Sequence, residues 1–130
     1  MPALKVLVVD DDEQYLRLTA RVLRDAGYDV VTRTDVIGTA YTVTQEKPDL
    51  VLIDVNMPLL TGDRLTELLQ RSVRERPLIV LHSGEDEKTL AQRAAACGAD
   101  ASIPKGLTVN RLLQRLARVA RQRRAPPRPT

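Results

Sequence analysis

The stretch Leu50-Val51-Leu52-Ile53-Asp54-Val55-Asn56-Met57-Pro58 opens with four aliphatic residues in succession and then meets a carboxylate. A strand with one wet face alternates apolar with polar residues, whereas an unbroken apolar run suits a strand covered on both faces, as in a parallel sheet. Val6-Leu7-Val8-Val9 reads the same way and also runs into acids, Asp10-Asp11-Asp12. Two such strands need helices above and below them.

Working outward, aliphatic or β-branched runs at Leu4 to Val9, Val30 with Val31, Leu50 to Ile53, Leu78 to Leu81 and, more weakly, Ala101 to Ile103 give five expected strands. Between them the period becomes helical. Leu16, Ala20 and Leu23 share one face; Leu65, Leu68 and Leu69 another; Leu90 and Ala94 a shorter third; Val109, Leu112, Leu113, Leu116 and Val119 form the clearest stripe. Asp12 is placed to cap the first helix, Gly27 and Gly98 to end helices, and Pro48 and Pro77 stand just ahead of strands. The order is βα five times over. That implies an α/β fold with an open, doubly wound, five-stranded parallel sheet, whose sites form outside the carboxyl ends of the strands.

Composition bounds the rest. A chain of 130 residues is the size of one domain, so output is expected through a partner. Aromatics make up 2% and all are tyrosine, so the core must be aliphatic, and base-stacking on nucleic acid gets little support. Arg118, Arg121, Arg123, Arg124 and Arg128 lie in the last thirteen residues, which contain no acid; removing these five from the 20 basic residues leaves 15 against 17 acidic ones. The basic balance therefore belongs to the tail. The lone Cys97 has no internal disulfide partner and reads as core beside Ala94. With neither a signal-peptide pattern nor a long apolar run, the chain is expected to be cytoplasmic, without a membrane span.

The expected strand ends carry Asp10-Asp11-Asp12, Asp54, Ser83 and, just beyond the fifth, Lys105. Three carboxylates converging on one rim repel one another unless a cation sits among them. All-oxygen ligands favour a hard cation, and magnesium, which takes one or two carboxylates and leaves room for phosphate, fits best. A carboxylate can also act as nucleophile toward a phosphoryl group if cationic groups offset the developing charge. Asp54 is the expected nucleophile, with Lys105 and Ser83 binding the oxygens. Taken singly, these residues have plainer readings: Asp11 and Asp12 as helix caps, Asp54 as a turn residue, Lys105 as a surface charge, His82 as a packed imidazole. Their coincidence at one rim outweighs those readings.

At these residues the sequence resembles the receiver domain of two-component response regulators, in Val8-Val9-Asp10-Asp11-Asp12, in Asp54-Val55-Asn56-Met57-Pro58 with Thr61-Gly62, in Ser83-Gly84 and in Lys105. The resemblance implies the (βα)5 flavodoxin-like receiver fold over residues 1–122. It implies that Asp54 accepts phosphate from a histidine kinase or histidine phosphotransfer protein. Asp11, Asp54 and the backbone carbonyl of Asn56 would bind Mg2+, with Asp10 helping through water. Ser83 and Lys105 would sense the phosphate. No turnover of an outside substrate is implied, only phosphorylation and dephosphorylation of the domain itself.

The match departs from the family at the output side. The aromatic expected three residues before the lysine is Ser102, and the proline and phenylalanine expected after it are Gly106 and Leu107. Gly106 replaces a restraint with a residue of wide backbone freedom. Asn56, Gly84 and Glu85 flank the expected path of attacking water, and a small Gly84 leaves it open, so fast self-dephosphorylation is expected. An alternative function is a receiver-fold interaction module that signals without phosphorylation. An aspartyl phosphatase needs an acid two residues after the nucleophile, where Asn56 stands, and a nucleotide site needs a glycine-rich loop that the first strand lacks. Residues 123–130 are expected to form a disordered basic, proline-rich tail, with a docking role for an acidic partner or a nonspecific nucleic-acid contact as its functional reading. The remaining expectations are an unknown downstream protein, no specific nucleic-acid binding, and a monomer or weak phosphorylation-dependent dimer.

Overall fold

The computed structural model describes residues 3–124, with side chains described through Gln122. Strands β1 (Lys5–Val9), β2 (Asp29–Arg33), β3 (Leu50–Asp54), β4 (Leu78–Ser83) and β5 (Ala101–Pro104) alternate with helices α1 (Glu13–Asp25), α2 (Thr39–Glu46), α3 (Gly62–Ser72), α4 (Glu87–Cys97) and α5 (Val109–Arg124). The strands form one parallel sheet in the order β2-β1-β3-β4-β5.

The unbroken apolar runs are explained by two cores, one on each side of the sheet. Successive side chains on a strand face opposite ways. Val6 and Val8, with Leu50 and Leu52, pack with Leu16 and Leu23 of α1 and Leu116 of α5. Leu7 and Val9, with Val51 and Ile53, pack with Leu65 and Leu69 of α3 and Leu90 of α4. Fully burying one such side chain is worth about 1.5 to 3 kcal/mol, so neither face of β1 or β3 tolerates a polar residue before the strand ends.

Helix boundaries follow local chemistry. The Asp12 carboxylate accepts from the amides of Gln14 and Tyr15, each at 3.1 Å, and starts α1. Gly98, at φ +82°, ends α4 in the left-handed conformation. Helix α2 has no apolar stripe visible in the sequence because its buried positions are only Thr39 and Val43. Leu68 and Val109, expected on inward faces, are exposed. The inward positions of α3 are Leu65, Thr66 and Leu69, and Val109 is the first residue of α5. Helix α5 runs to Arg124, past the boundary expected at 122; the rest of the expected tail, 125–130, lies outside the described residues. Among the described residues no helix is long and apolar enough to cross a membrane.

The chain leaves β1 toward β2 on one side and returns to β3 on the other, so a crevice opens at the carboxyl ends of β1 and β3. Asp10 and Asp54 stand there.

Candidate functional site

Asp10 follows β1 and Asp54 ends β3; both are buried, at 1% and 6% exposure, while Asp11 is exposed. One carboxylate oxygen from each lies within 4.8 Å of the other two. Gly62, at the start of α3, holds this geometry: a Cβ there would sit 2.6 Å from the Asp54 carbonyl oxygen and 2.9 Å from the Val55 Cα. Its amide donates to the Val55 carbonyl at 2.9 Å. Only glycine lets α3 approach the Asp54 backbone so closely.

One ammonium group answers two of the three carboxylates. Lys105 Nζ donates to Asp10 Oδ2 at 2.8 Å and to Asp54 Oδ1 at 3.3 Å. Its backbone amide donates to the Ser83 carbonyl at 2.7 Å, which ties the exit of β5 to the end of β4. Burial and then the neighbouring Asp10 push Asp54 up to about 6, against the pull of Lys105 and a backbone hydrogen bond from Asn56. For Lys105, burial is the largest influence and acts downward, but its bonds and charge attraction to Asp10 and Asp54 outweigh it and hold the amine above its usual range. The site thus carries more negative charge than one lysine offsets, on an all-oxygen donor set. That is the chemistry a hard divalent cation fits.

The other expected residues occupy the same rim. Ser83 is fully buried and its Oγ accepts from the Glu85 amide at 3.2 Å. Asn56 is exposed in the turn after β3. Gly84 is exposed, and a Cβ added to it meets no atom within 4 Å. The Glu85 carboxylate is drawn aside to Arg93 of α4 at 3.3 Å, and Arg93 in turn bonds Asp63 of α3 at 3.0 Å. Gly106 has φ +90°, a conformation other residues rarely adopt. Ser102 is half-buried, and its carbonyl accepts from Arg115 of α5 at 3.0 Å; Arg115 also pairs with Glu87 of α4.

Residues 6–117 match the family described as the response regulator receiver domain. The chain belongs to that family. It is 32% identical over 121 residues to the transcriptional regulatory protein PrrA of Mycobacterium tuberculosis, covering 92% of this chain and 51% of PrrA. It is 30% identical over 118 residues to the alkaline phosphatase synthesis regulator PhoP of Bacillus subtilis, covering 91% of this chain and 49% of PhoP. The receiver thus spans about half the length of these curated relatives. Among solved structures, the chemotaxis response regulator CheY4 of Vibrio cholerae superposes with TM-score 0.81 at 30% identity, covering 90% of this chain and 98% of that one. A CheY-like receiver from Methanospirillum hungatei shares the fold, with TM-score 0.83 at 24% identity over 94% of this chain and 97% of that one.

Two residues of this receiver's site were not singled out as site residues in the sequence. Tyr15 of α1 hydrogen-bonds His82 of β4, with Tyr15 Oη 2.6 Å from His82 Nε2. Its ring centre lies 4.4 Å from Lys105 Nζ. His82 is the packed imidazole its apolar strand suggests, and burial lowers its pKa to about 4. The one sequence signal for Tyr15 is an aromatic in the first turn of a helix that begins beside the acidic rim.

Proposed function

We propose that this receiver is a magnesium-dependent aspartyl-phosphate switch, with Asp54 accepting the phosphoryl group from a histidine kinase or histidine phosphotransfer protein of a two-component relay. The observation that carries this reading is the buried Asp54 carboxylate, held at a strand end within hydrogen-bond reach of Lys105 and clustered with Asp10 and Asp11. An Asp54 oxygen attacks phosphorus and forms a P–O bond as the bond to the donor's imidazole nitrogen breaks; that nitrogen leaves with the electron pair. Lys105 keeps its charge on the rim and shifts toward the phosphoryl oxygens. The Ser83 hydroxyl, whose oxygen accepts from Glu85, still has its proton to donate to them. Asp10, Asp11 and Asp54, with the Asn56 carbonyl, would hold Mg2+, which supplies charge neutralisation on the transferring group.

Dephosphorylation should be fast, because Gly84 leaves open space where a larger residue would shield the acyl phosphate. Asn56, Gly84 and Glu85 are the residues expected to tune it. The receiver's output would pass to a downstream protein, from a monomer or a weak phosphorylation-dependent dimer.

The experiment is incubation with acetyl phosphate, with and without magnesium, followed by intact mass for the wild type and Asp54→Ala. Magnesium-dependent labelling that the substitution abolishes supports the switch, and subsequent loss of label within minutes supports the open water path. A half-life of hours at neutral pH contradicts the fast-decay reading. Ser102 and Gly106 favour the second reading, an interaction module independent of phosphorylation. Absence of both labelling and magnesium binding would select that module.

A further inference from the structure

We propose that Tyr15 is a positioning residue for Lys105, holding its ammonium group at the carboxylate rim for phosphoryl transfer to Asp54. The proposal rests on the reading of Asp54 as phosphoacceptor and adds to it an aromatic on α1.

The contacts form a closed loop. Lys105 Nζ stands 4.4 Å from the Tyr15 ring centre, well inside the roughly 6 Å over which a ring face attracts a cation. The Tyr15 hydroxyl is 2.6 Å from His82 Nε2, and His82 Nδ1 is 2.6 Å from the Ile103 carbonyl. A carbonyl only accepts, so Nδ1 carries the proton. Burial keeps the imidazole neutral, with its pKa lowered to about 4, so Nε2 is an acceptor and the tyrosine hydroxyl donates to it. Ile103 lies on β5 two residues before Lys105, so the hydroxyl that fixes the ring is anchored to the strand that carries the amine. Tilting the ring breaks its hydrogen bond to His82 of β4, whose other ring nitrogen is bonded to Ile103 of β5.

The ammonium is bounded by Asp10, by Asp54 and by this ring. Losing the ring leaves the amine free to swing away from the attacking oxygen, and small misplacements at a reacting centre are costly. The chain contains three tyrosines and neither phenylalanine nor tryptophan, so no other kind of aromatic is available for this place. The residue at the family's usual aromatic position, Ser102, has no ring to offer.

The test is a double-mutant cycle on the labelling rate with acetyl phosphate at saturating magnesium, using Tyr15→Leu, Lys105→Met and the double substitution. A partly desolvated cation–π contact predicts that Tyr15→Leu slows labelling about tenfold when Lys105 is present and changes it less than about twofold when Lys105 is methionine. Tyr15→Phe, which keeps the ring but releases His82, should slow labelling about threefold by the same reckoning. A second readout is independent of the reaction: the Lys105 ε-methylene protons should be shifted upfield by the ring in the wild type and Tyr15→Phe, and not in Tyr15→Leu. Equal slowing in both lysine backgrounds, or no slowing at all, overturns the proposal while leaving Asp54 as the acceptor. If Tyr15→Leu does not melt cooperatively, the cycle built on Tyr15→Phe decides by the same criterion. A wild type that takes no label rejects the phosphoacceptor reading itself, and the positioning role with it.

Discussion

Strand β5 has unlike neighbours on its two sides, and Lys105 sits at the end of both. Toward α1 lie Ile103, His82 and Tyr15, joined by two hydrogen bonds of 2.6 Å and capped by a cation–π contact. Toward α4 lies Ser102, whose carbonyl is held by Arg115 while that arginine reaches Glu87. Glu87 is 60% exposed, and an ion pair in that setting contributes about 0 to 1 kcal/mol. The first side is buried, aromatic and stiff; the second is polar and solvent-screened. The difference teaches that the buried contacts around Lys105 lie on the α1 side of β5, while the α4 side holds a screened ion pair.

Lys105→Met breaks the comparison outright, because it removes the group the two sides share. Deleting one preorganised cationic donor should lower the labelling rate with acetyl phosphate by about a hundredfold. Magnesium binding should survive, since the acidic cluster remains. Gly62→Ala perturbs the rim while leaving both sides of β5 intact. Its Cβ would press on the Asp54 carbonyl, and overpacking against backbone should cost about 2 to 3 kcal/mol in urea unfolding.

Asp54→Asn sharpens the claim that the rim is overcharged. The folded protein holds the Asp54 proton up to about pH 6, above the ordinary carboxylate range. Between that range and pH 6 the folded state binds more protons than the unfolded chain, so stability falls as pH rises through the window. In magnesium-free buffer the substitution should therefore stabilise by about 1 to 2 kcal/mol at pH 7.5 and by almost nothing at pH 4, read from urea midpoints. For the same reason magnesium should bind the wild type more weakly below pH 6, where a proton competes for Asp54. The smallest effect is Arg115→Ala, which loosens only the α4 side. It should cost about 0.5 kcal/mol and leave the labelling rate within twofold of wild type, as expected for a screened pair.

Much of this was legible in the sequence because it is local. The runs before Asp10 and Asp54 declare buried strands, and Asp12 and Gly98 mark helix ends by their own chemistry. Once the strands are parallel, Asp10, Asp54, Ser83 and Lys105 must meet at one rim. Helix α2 is implied only by the βα order, because a two-residue footprint, Thr39 and Val43, makes no periodic stripe. The Tyr15 to His82 contact is hidden because it joins positions 67 residues apart and depends on where the fold sets the first turn of α1 against the end of β4. The Arg93 bridge to Asp63, 30 residues away, is hidden for the same reason: an arginine on a helix surface does not announce which acids the fold brings beside it. Ser102 and Gly106 were visible as departures, yet the aromatic that stands beside Lys105 is Tyr15, on α1.

The central claim is that Asp54, among three clustered carboxylates, carries the phosphoryl group. The direct measurement is reduction of the acetyl-phosphate-treated receiver with borohydride, which converts an acyl phosphate to homoserine, followed by peptide sequencing by mass. Homoserine is expected at position 54, only with magnesium present, and is expected to be absent from Asp54→Asn. Homoserine at Asp10 or Asp11 instead, or at none of the three in a folded, magnesium-loaded protein, would contradict it.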